Sequence, residues 1–438
     1  MSSQFDPQEL SDFARYYGFH YDSLDPAVLA KEILIDMERG LDGRGSSLPM
    51  IPSYITPEPK ARPGKSVLAL DAGGTNLRVS RVRFDEAGKA VAEGTRKHPM
   101  PGTKGRVGAD EFFDEIADAV IPVLGDAAGT GDIGGIGFTF SYPMDIQPDA
   151  DGILLAFSKE IDAPEVIGKA IGAGLRQALA RKGRAYDGPI VLLNDTAATL
   201  LSGIAAIPGD GPVIGCILGT GFNTAYPETC IPKIGFESRD VPQIVVCETG
   251  TFSLRHRGLL DREFDDTTKN PGAYPLEKAT SGAYLGPLTL HVLKRAVLDK
   301  VIRFARSDEF LALPVLDTRT LSDFCLGTVP GNSLDSLFAP GENDAVASVR
   351  YIASIVAERG AMLAASVLAA TVKRMEADLR ADPVRIAMEG TTYMAFKGMR
   401  RSLDSWLHTL LVRGMPRPYV VAPVDQASLF GAAVAASG

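Results

Sequence analysis

The stretch VLALDAGGTNLRVSRVRF, Val67 to Phe84, decides the reading of this chain. An apolar run, Val67 to Leu70, leads into Asp71. After the glycines a second run alternates, with Leu77, Val79, Val82 and Phe84 set among polar Asn76, Arg78, Ser80, Arg81 and Arg83. Apolar run, glycine turn and period-two alternation predict a β-hairpin turning at Ala72–Thr75. This hairpin also carries a carboxylate at the end of its first strand and hydroxyl and amide side chains at its tip.

The plan recurs at VIGCILGTGFNTAYPE, Val213 to Glu228: apolar strand, Gly–Thr turn, Asn, second strand. A phosphate needs several N–H donors converging at close range, and glycine permits that approach. Two such turns in two half-domains could grip a polyphosphate from both sides. No GxxxxGK[ST] is present, which excludes a P-loop. The single G-x-G-x-x-G, Gly129 to Gly134, follows a helix and precedes a strand, the reverse of the dinucleotide-binding order.

The 438 residues are long enough for two domains, each with its own core. A net charge of −9 argues against broad capture of nucleic acid. Cys216, Cys230, Cys247 and Cys325 lack CxxC or Cys/His ligand spacing, so neither a disulfide framework nor a zinc site is expected. The N-terminus has no basic-plus-apolar signal pattern, and the most apolar stretch, Gly360 to Val372, is too short to span a bilayer. A soluble, cytoplasmic protein without a membrane site is expected.

Asp6–Pro7 and Asp25–Pro26 each place an N-cap before a first-turn proline, predicting two short helices that stop at Gly18 and Gly40. Gly43 to Lys65 reads as a strap between domains, with Met50, Ile51, Tyr54 and Ile55 to bury. Helices are predicted at Asp110 to Leu124 and Pro164 to Lys182, the latter with a stripe of Ile167, Ile171, Leu175 and Leu179. Strands are predicted at Ile136 to Phe140 and Ile190 to Leu193. Alternating strands and helices imply a largely parallel sheet. A long helical tract from Asp344 to Asp382 is predicted to break near Gly360.

Asp71, where a strand meets the first turn, either caps that turn or binds the Mg²⁺ that travels with ATP. Asn194–Asp195 end a buried strand ahead of a helix. They are either an N-cap or face the crevice at the strand ends, where a carboxylate could take a proton from an attacking hydroxyl. Ser141, Ser158, Lys159, Glu248 and Glu277 lie in loops and gain meaning only if they converge on one ligand.

With these residues assembled, the chain resembles the hexokinase family. The likeness runs from Leu48 to the C-terminal FGAAVAA, through LALDAGGTNLRV, GFTFSYP, LLNDTAATLLSG, ILGTGFN, CETGTF, LEKATSGAYLG and AMEGTTY in order. The resemblance implies an α/β, two-lobed actin-like ATPase (ribonuclease H-like) fold with the active site in the cleft. It implies a small lobe of residues 62–194 plus 421–438 and a large lobe of residues 1–61 plus 195–420. It implies transfer of a phosphoryl group from ATP, with Mg²⁺, to the 6-hydroxyl of a hexose such as glucose. Asp195 matches the general base. Ser141, Ser158, Lys159, Asn194, Asn223, Glu248 and Glu277 match the sugar-binding set, and Lys159 could also offset charge on the moving phosphoryl group. Gly73, Gly74, Thr75 and Asn76 match the first phosphate loop, Gly219, Thr220 and Gly221 the second, and Gly390, Thr391 and Thr392 the adenosine loop.

The chain departs from the family pattern at several places. Ser158 replaces a Thr, Phe157 a common Trp, Val246 the Asn of N-x-E-x-G and Glu389 an Asp, and DQASLFGAA lacks a Gly-rich form. Competing readings are a non-catalytic sugar sensor on the same scaffold, an actin- or chaperone-like ATPase, and a kinase using polyphosphate or ADP.

Overall fold

The structure is a computed structural model that describes residues 4–57, 66–86, 90–125, 133–157, 161–238, 241–327, 331–375 and 382–437. Helices α1 (Pro7–Tyr16) and α2 (Pro26–Leu41) start as expected, with the Asp6 and Asp25 carboxylates accepting first-turn N–H groups. Gly40 does not end α2. It lies inside the helix, where a Cβ would meet the Leu48 carbonyl at 2.3 Å, so it admits the strap rather than stopping the helix. That strap buries Met50 and Ile55 and forms the short strand β1 (Ile51–Pro52); its residues 58–65 lie outside the described residues.

The first sheet holds β2 (Ser66–Ala72), β3 (Asn76–Phe84), β4 (Ala90–Pro99), β5 (Ile133–Phe140) and β8 (Ile190–Leu193) in the order β4-β3-β2-β5-β8. The opening stretch is the antiparallel β2–β3 hairpin, and β5 and β8 add parallel strands beyond β2. Helices α3 (Ala109–Leu124) and α4 (Ile171–Arg181) cover one face, and β6 (Met144–Ile146) pairs with β7 (Gly152–Leu154) as a small ribbon. The helix expected from Pro164 is shorter than its apolar stripe suggested. Pro164–Val166 is a single 3₁₀ turn, Gly168 adopts φ +82°, and Ile167 is left exposed. Most of the G-x-G-x-x-G motif falls outside the described residues, between α3 and β5.

Helix α5 (Asp195–Ala206) leads to the second sheet, ordered β1-β13-β10-β9-β14-β15. It contains β9 (Val213–Leu218), β10 (Phe222–Glu228), β13 (Gln243–Val246), β14 (Val384–Glu389) and β15 (Tyr419–Pro423); β11 (Cys230–Ile231) and β12 (Phe236–Glu237) form a separate ribbon. From β13 to β15 this sheet repeats the first in order and polarity, with a central antiparallel hairpin and two parallel strands beyond it. The echo between two Gly–Thr stretches is therefore an architectural repeat, one hairpin per lobe.

Between β13 and β14 lie α6 (Leu259–Asp266), α7 (Pro275–Thr280), α8 (Leu285–Leu298), α9 (Ser307–Leu311), α10 (Thr318–Leu326) and α11 (Asn343–Arg374). After β14 come α12 (Thr391–Ala395), α13 (Met399–Leu407) and α14 (Ala427–Ala436). Helix α11 runs unbroken through Gly360, and residues 376–381 of the expected tract lie outside the described residues. At Gly360 an added Cβ would come within 3.2 Å of the Ala279 carbonyl, so this glycine lets α11 lie close over α7 instead of breaking the helix. At 32 residues α11 is also long and apolar enough to cross a membrane, contrary to the expectation from its apolar stretch alone, but 89% of its most apolar window is buried inside the protein.

Each sheet has its own core, and a third cluster joins them through α5 and α14. There α14 crosses α5 so closely that a Cβ at Gly431 would sit 2.0 Å from the Ala198 carbonyl. Asp195 opens α5 directly after Asn194 at the end of β8, and it faces the second hairpin across a cavity.

Candidate active site

The first glycine turn is closed by Gly73 N–H donating to the Asn76 carbonyl at 3.0 Å, and Asn76 Nδ2 donates to Thr75 Oγ1. Neither Gly73 nor Gly74 adopts positive φ, so the value of these glycines is close access rather than a left-handed turn. Hairpin register sets Asp71 opposite Arg78, and their side chains form an ion pair at 3.1 Å. Asp71 is buried, whereas the guanidinium is half exposed.

The second turn is braced from behind. Gly219 O accepts from Gly282 N–H at 2.7 Å and from the Thr392 hydroxyl at 2.7 Å, and Thr220 O accepts from Ala283 N–H. Thr392 is thus a buried joint between the second turn and the loop that begins at Gly390, while Thr391 beside it is exposed. Gly390 adopts φ +116° and ψ 142°, and a Cβ there would meet Leu218 backbone atoms at 2.4 Å.

A cavity of about 470 Å³ lies where the strand ends of the first sheet face the second hairpin, and its walls include Ser141, Asn194, Asp195, Gly221, Asn223, Glu248 and Glu277. Of the sugar set expected from sequence, these six side chains besides Gly221 come together; Ser158 and Lys159 lie outside the described residues. Asn194 caps α5, its Oδ1 accepting Thr196 N–H at 2.8 Å, which leaves Asp195 in the first turn of the helix. The Thr196 hydroxyl donates to Asp195 Oδ1 at 3.3 Å.

Asn223 Nδ2 donates to Glu248 Oε1 at 2.9 Å, while its Oδ1 accepts from Thr224 N–H and Thr249 N–H. Glu248 itself has φ +55°, an uncommon backbone state for a non-glycine residue that local contacts must hold. Val246, in place of an Asn, is buried and pairs across the sheet with Ile51. The loop after it is instead fixed by Thr251 Oγ1, which lies 2.5 Å from the Ser47 carbonyl and 2.7 Å from that of Glu248. Glu277 Oε2 accepts Phe222 N–H at 3.2 Å.

Three acidic side chains are held above the usual carboxylate range. Burial first, then the nearby charge of Asp195, pushes Glu248 up to about 7 despite the Asn223 hydrogen bond. Burial raises Glu277. Glu389, at the end of β14, is pushed up to about 7 by burial and by the charges of Asp195 and Asp71, against a hydrogen bond from Thr199 at 3.0 Å. Two of these acids, Glu248 and Glu277, line the cavity, and perturbed acids gathered in a cleft make it a functional-site candidate.

Sequence reasoning missed Tyr142, whose hydroxyl reaches the first glycine turn, and Thr199, which donates from α5. The aromatic directly after Ser141 and the threonine four residues after Asp195 were the signals on offer.

Two family models, both described as hexokinase, match residues 11–205 and 213–437. The chain belongs to the hexokinase family. It is 30% identical over 439 residues to Hexokinase-1 of Oryza sativa subsp. japonica, covering 94% of this chain and 87% of that one. It is 27% identical to Hexokinase-2 of Saccharomyces cerevisiae, covering 98% and 92%. The crystal structure of a hexokinase from Schistosoma mansoni complexed with glucose superposes with a TM-score of 0.77 at 24% identity, covering 99% of this chain and all of that one. The fold is therefore the two-lobed actin-like ATPase fold of hexokinases, and the family makes the protein a sugar phosphotransferase.

Proposed function

We propose that the protein transfers the γ-phosphoryl group of ATP to the 6-hydroxyl of a hexose, with glucose the foremost substrate and Asp195 the general base. The observation that carries this reading is the convergence of Asp195, Asn194, Asn223, Glu248, Glu277 and Ser141 on one cavity beside the second glycine hairpin. A hexose offers several hydroxyl donors, and each acceptor in the wall rejects an analogue lacking its partner. Phosphoryl transfer asks for alignment, charge neutralisation and a base, and Asp195 lies where strand, helix start and cavity meet.

The donor set near the first turn suits a hard cation carried with the nucleotide. Asp71 and Glu389 offer oxygen ligands, and among the described residues no group of three His, Cys, Asp or Glu forms a closed protein cage. Mg²⁺ keeps several waters and takes phosphate oxygens, so Asp71 would hold it through water. When bound, it would neutralise phosphate charge.

The test is coupled-assay turnover with Mg²⁺–ATP against glucose, mannose, fructose, galactose and glucosamine, with Asp195→Ala alongside. General-base assistance is typically worth roughly 10²–10⁴-fold, so the variant should lose turnover by that factor while sugar binding by calorimetry persists. Equal turnover in parent and variant would remove Asp195 from the base role. Turnover with ADP or polyphosphate but not ATP would reassign the donor.

A further inference from the structure

Tyr142 stands in the wall of the sugar cavity, one residue after Ser141, yet its hydroxyl ends on the other half of the site. Its Oη lies 3.0 Å from the Gly73 carbonyl and 3.0 Å from the Gly74 carbonyl, so the phenol proton is shared between two acceptors of the first phosphate turn.

A trans peptide is planar, with its C=O and N–H pointing in opposite directions. The Gly73 carbonyl shares its plane with Gly74 N–H, and the Gly74 carbonyl shares its plane with Thr75 N–H. Holding both carbonyls towards Tyr142 therefore turns both amide donors towards the opposite side of the turn. Those are the donors that a phosphate at this turn requires.

The ring that delivers this hydroxyl is fixed. It is 3% exposed, lies 4.9 Å from the ring of Phe140, and stands edge-on to Phe157 at 5.2 Å. Phe157 directly precedes Ser158 and Lys159 of the expected sugar set. The same segment grips the strand below the turn as well, since Ser141 N–H donates to the Ala72 carbonyl at 3.1 Å. Burial pushes the phenol up to about 12, which keeps it a donor at neutral pH. For packing alone, a phenylalanine would fill this space equally well.

We propose that Tyr142 is a positioning residue that aims the amide donors of Gly74 and Thr75 at the nucleotide phosphates and ties that aim to the sugar loop. It acts through the turn and touches neither the phosphate nor the reacting hydroxyl. The proposal rests on the reading of Gly73–Asn76 as a phosphate turn.

Tyr142→Phe removes one oxygen and leaves the ring in place. Steady-state kinetics on parent and variant would be combined with calorimetric binding of glucose and of Mg²⁺ with a non-hydrolysable ATP analogue. Loss of one shared hydrogen bond should raise KM for ATP and the analogue Kd roughly 3- to 10-fold, with glucose Kd within about twofold of the parent. Unchanged nucleotide affinity in the variant overturns the proposal. So does an equal loss of glucose and nucleotide affinity with a lower melting temperature, which is the signature of a merely structural tyrosine. A parent that turns over ATP while the variant matches it removes only the positioning role. A parent that binds no nucleotide removes the phosphate-turn reading, and this proposal with it.

Discussion

Replacing Glu248 with Gln should stabilise the sugar-free protein above neutral pH while weakening its hold on sugar. Glu248 sits inside the cavity walls, where burial and the charge of Asp195 raise its pKa from 4.5 to about 7. The folded protein therefore keeps the proton to a higher pH than the unfolded chain does. Below pH 4.5 the group is protonated in both states and contributes no penalty. Between 4.5 and 7 the unfolded chain gives up its proton first, so stability falls as pH rises, and the loss is complete above 7. At 1.36 kcal/mol per unit, the full penalty is on the order of 3 kcal/mol by pH 8 and under about 1 kcal/mol at pH 5. The amide of Glu248→Gln has no charge to bury and retains an oxygen for Asn223 Nδ2. With an unfolding entropy of about 2 cal/mol/K per residue, the variant should melt about 3 °C above the parent at pH 8 and converge with it towards pH 5. Scanning calorimetry from pH 5 to 8 without sugar measures this, and glucose isotherms should show a roughly 10- to 100-fold loss of affinity. A melting difference that stays flat with pH, or a variant less stable at pH 8, would refute the buried-charge account.

Gly390→Ala should weaken nucleotide more than sugar. Its φ of +116° and the 2.4 Å approach to Leu218 force the loop to shift, and KM for ATP should rise at least about tenfold with glucose Kd nearly unchanged. Asp261→Ala should act on stability alone, because it strands the Arg359 guanidinium that Asp261 binds with both oxygens in the core between α6 and α11. Urea denaturation should show a loss of about 3–5 kcal/mol, and a loss below about 1 kcal/mol would contradict the burial of that pair.

Much of the candidate site's layout was legible because local signals agree with the global fold. The hairpin at Val67–Phe84 fixes its own register, and that register alone sets Asp71 against Arg78. Asn194 announced a helix start and proved to be the cap, leaving the next residue to the cavity. What escaped notice depends on segments far apart in sequence. Gly360 looks like a stop until the Ala279 carbonyl that approaches it is known. Tyr142 finds its partners 68 and 69 residues back along the chain, and Thr199 meets Glu389 across 190 residues. Periodicity and caps carry no record of such contacts. Glu389 was visible only as a departure from a family pattern, whereas its meaning lies in standing near Asp71 and Asp195.

Helix α11 has a consequence for how the chain comes into being. By length and composition it could cross a bilayer, and in the finished protein 89% of its most apolar window is buried. Of its cover, α1, α2, α7 and α8 are already made when α11 leaves the ribosome, but α13 follows it. For that interval a greasy rod stands open along one side, attractive to chaperones and to membranes alike. The two N-terminal helices are among the partners already waiting to shield it, so their loss should surface first as poor yield of folded protein rather than as a slower enzyme.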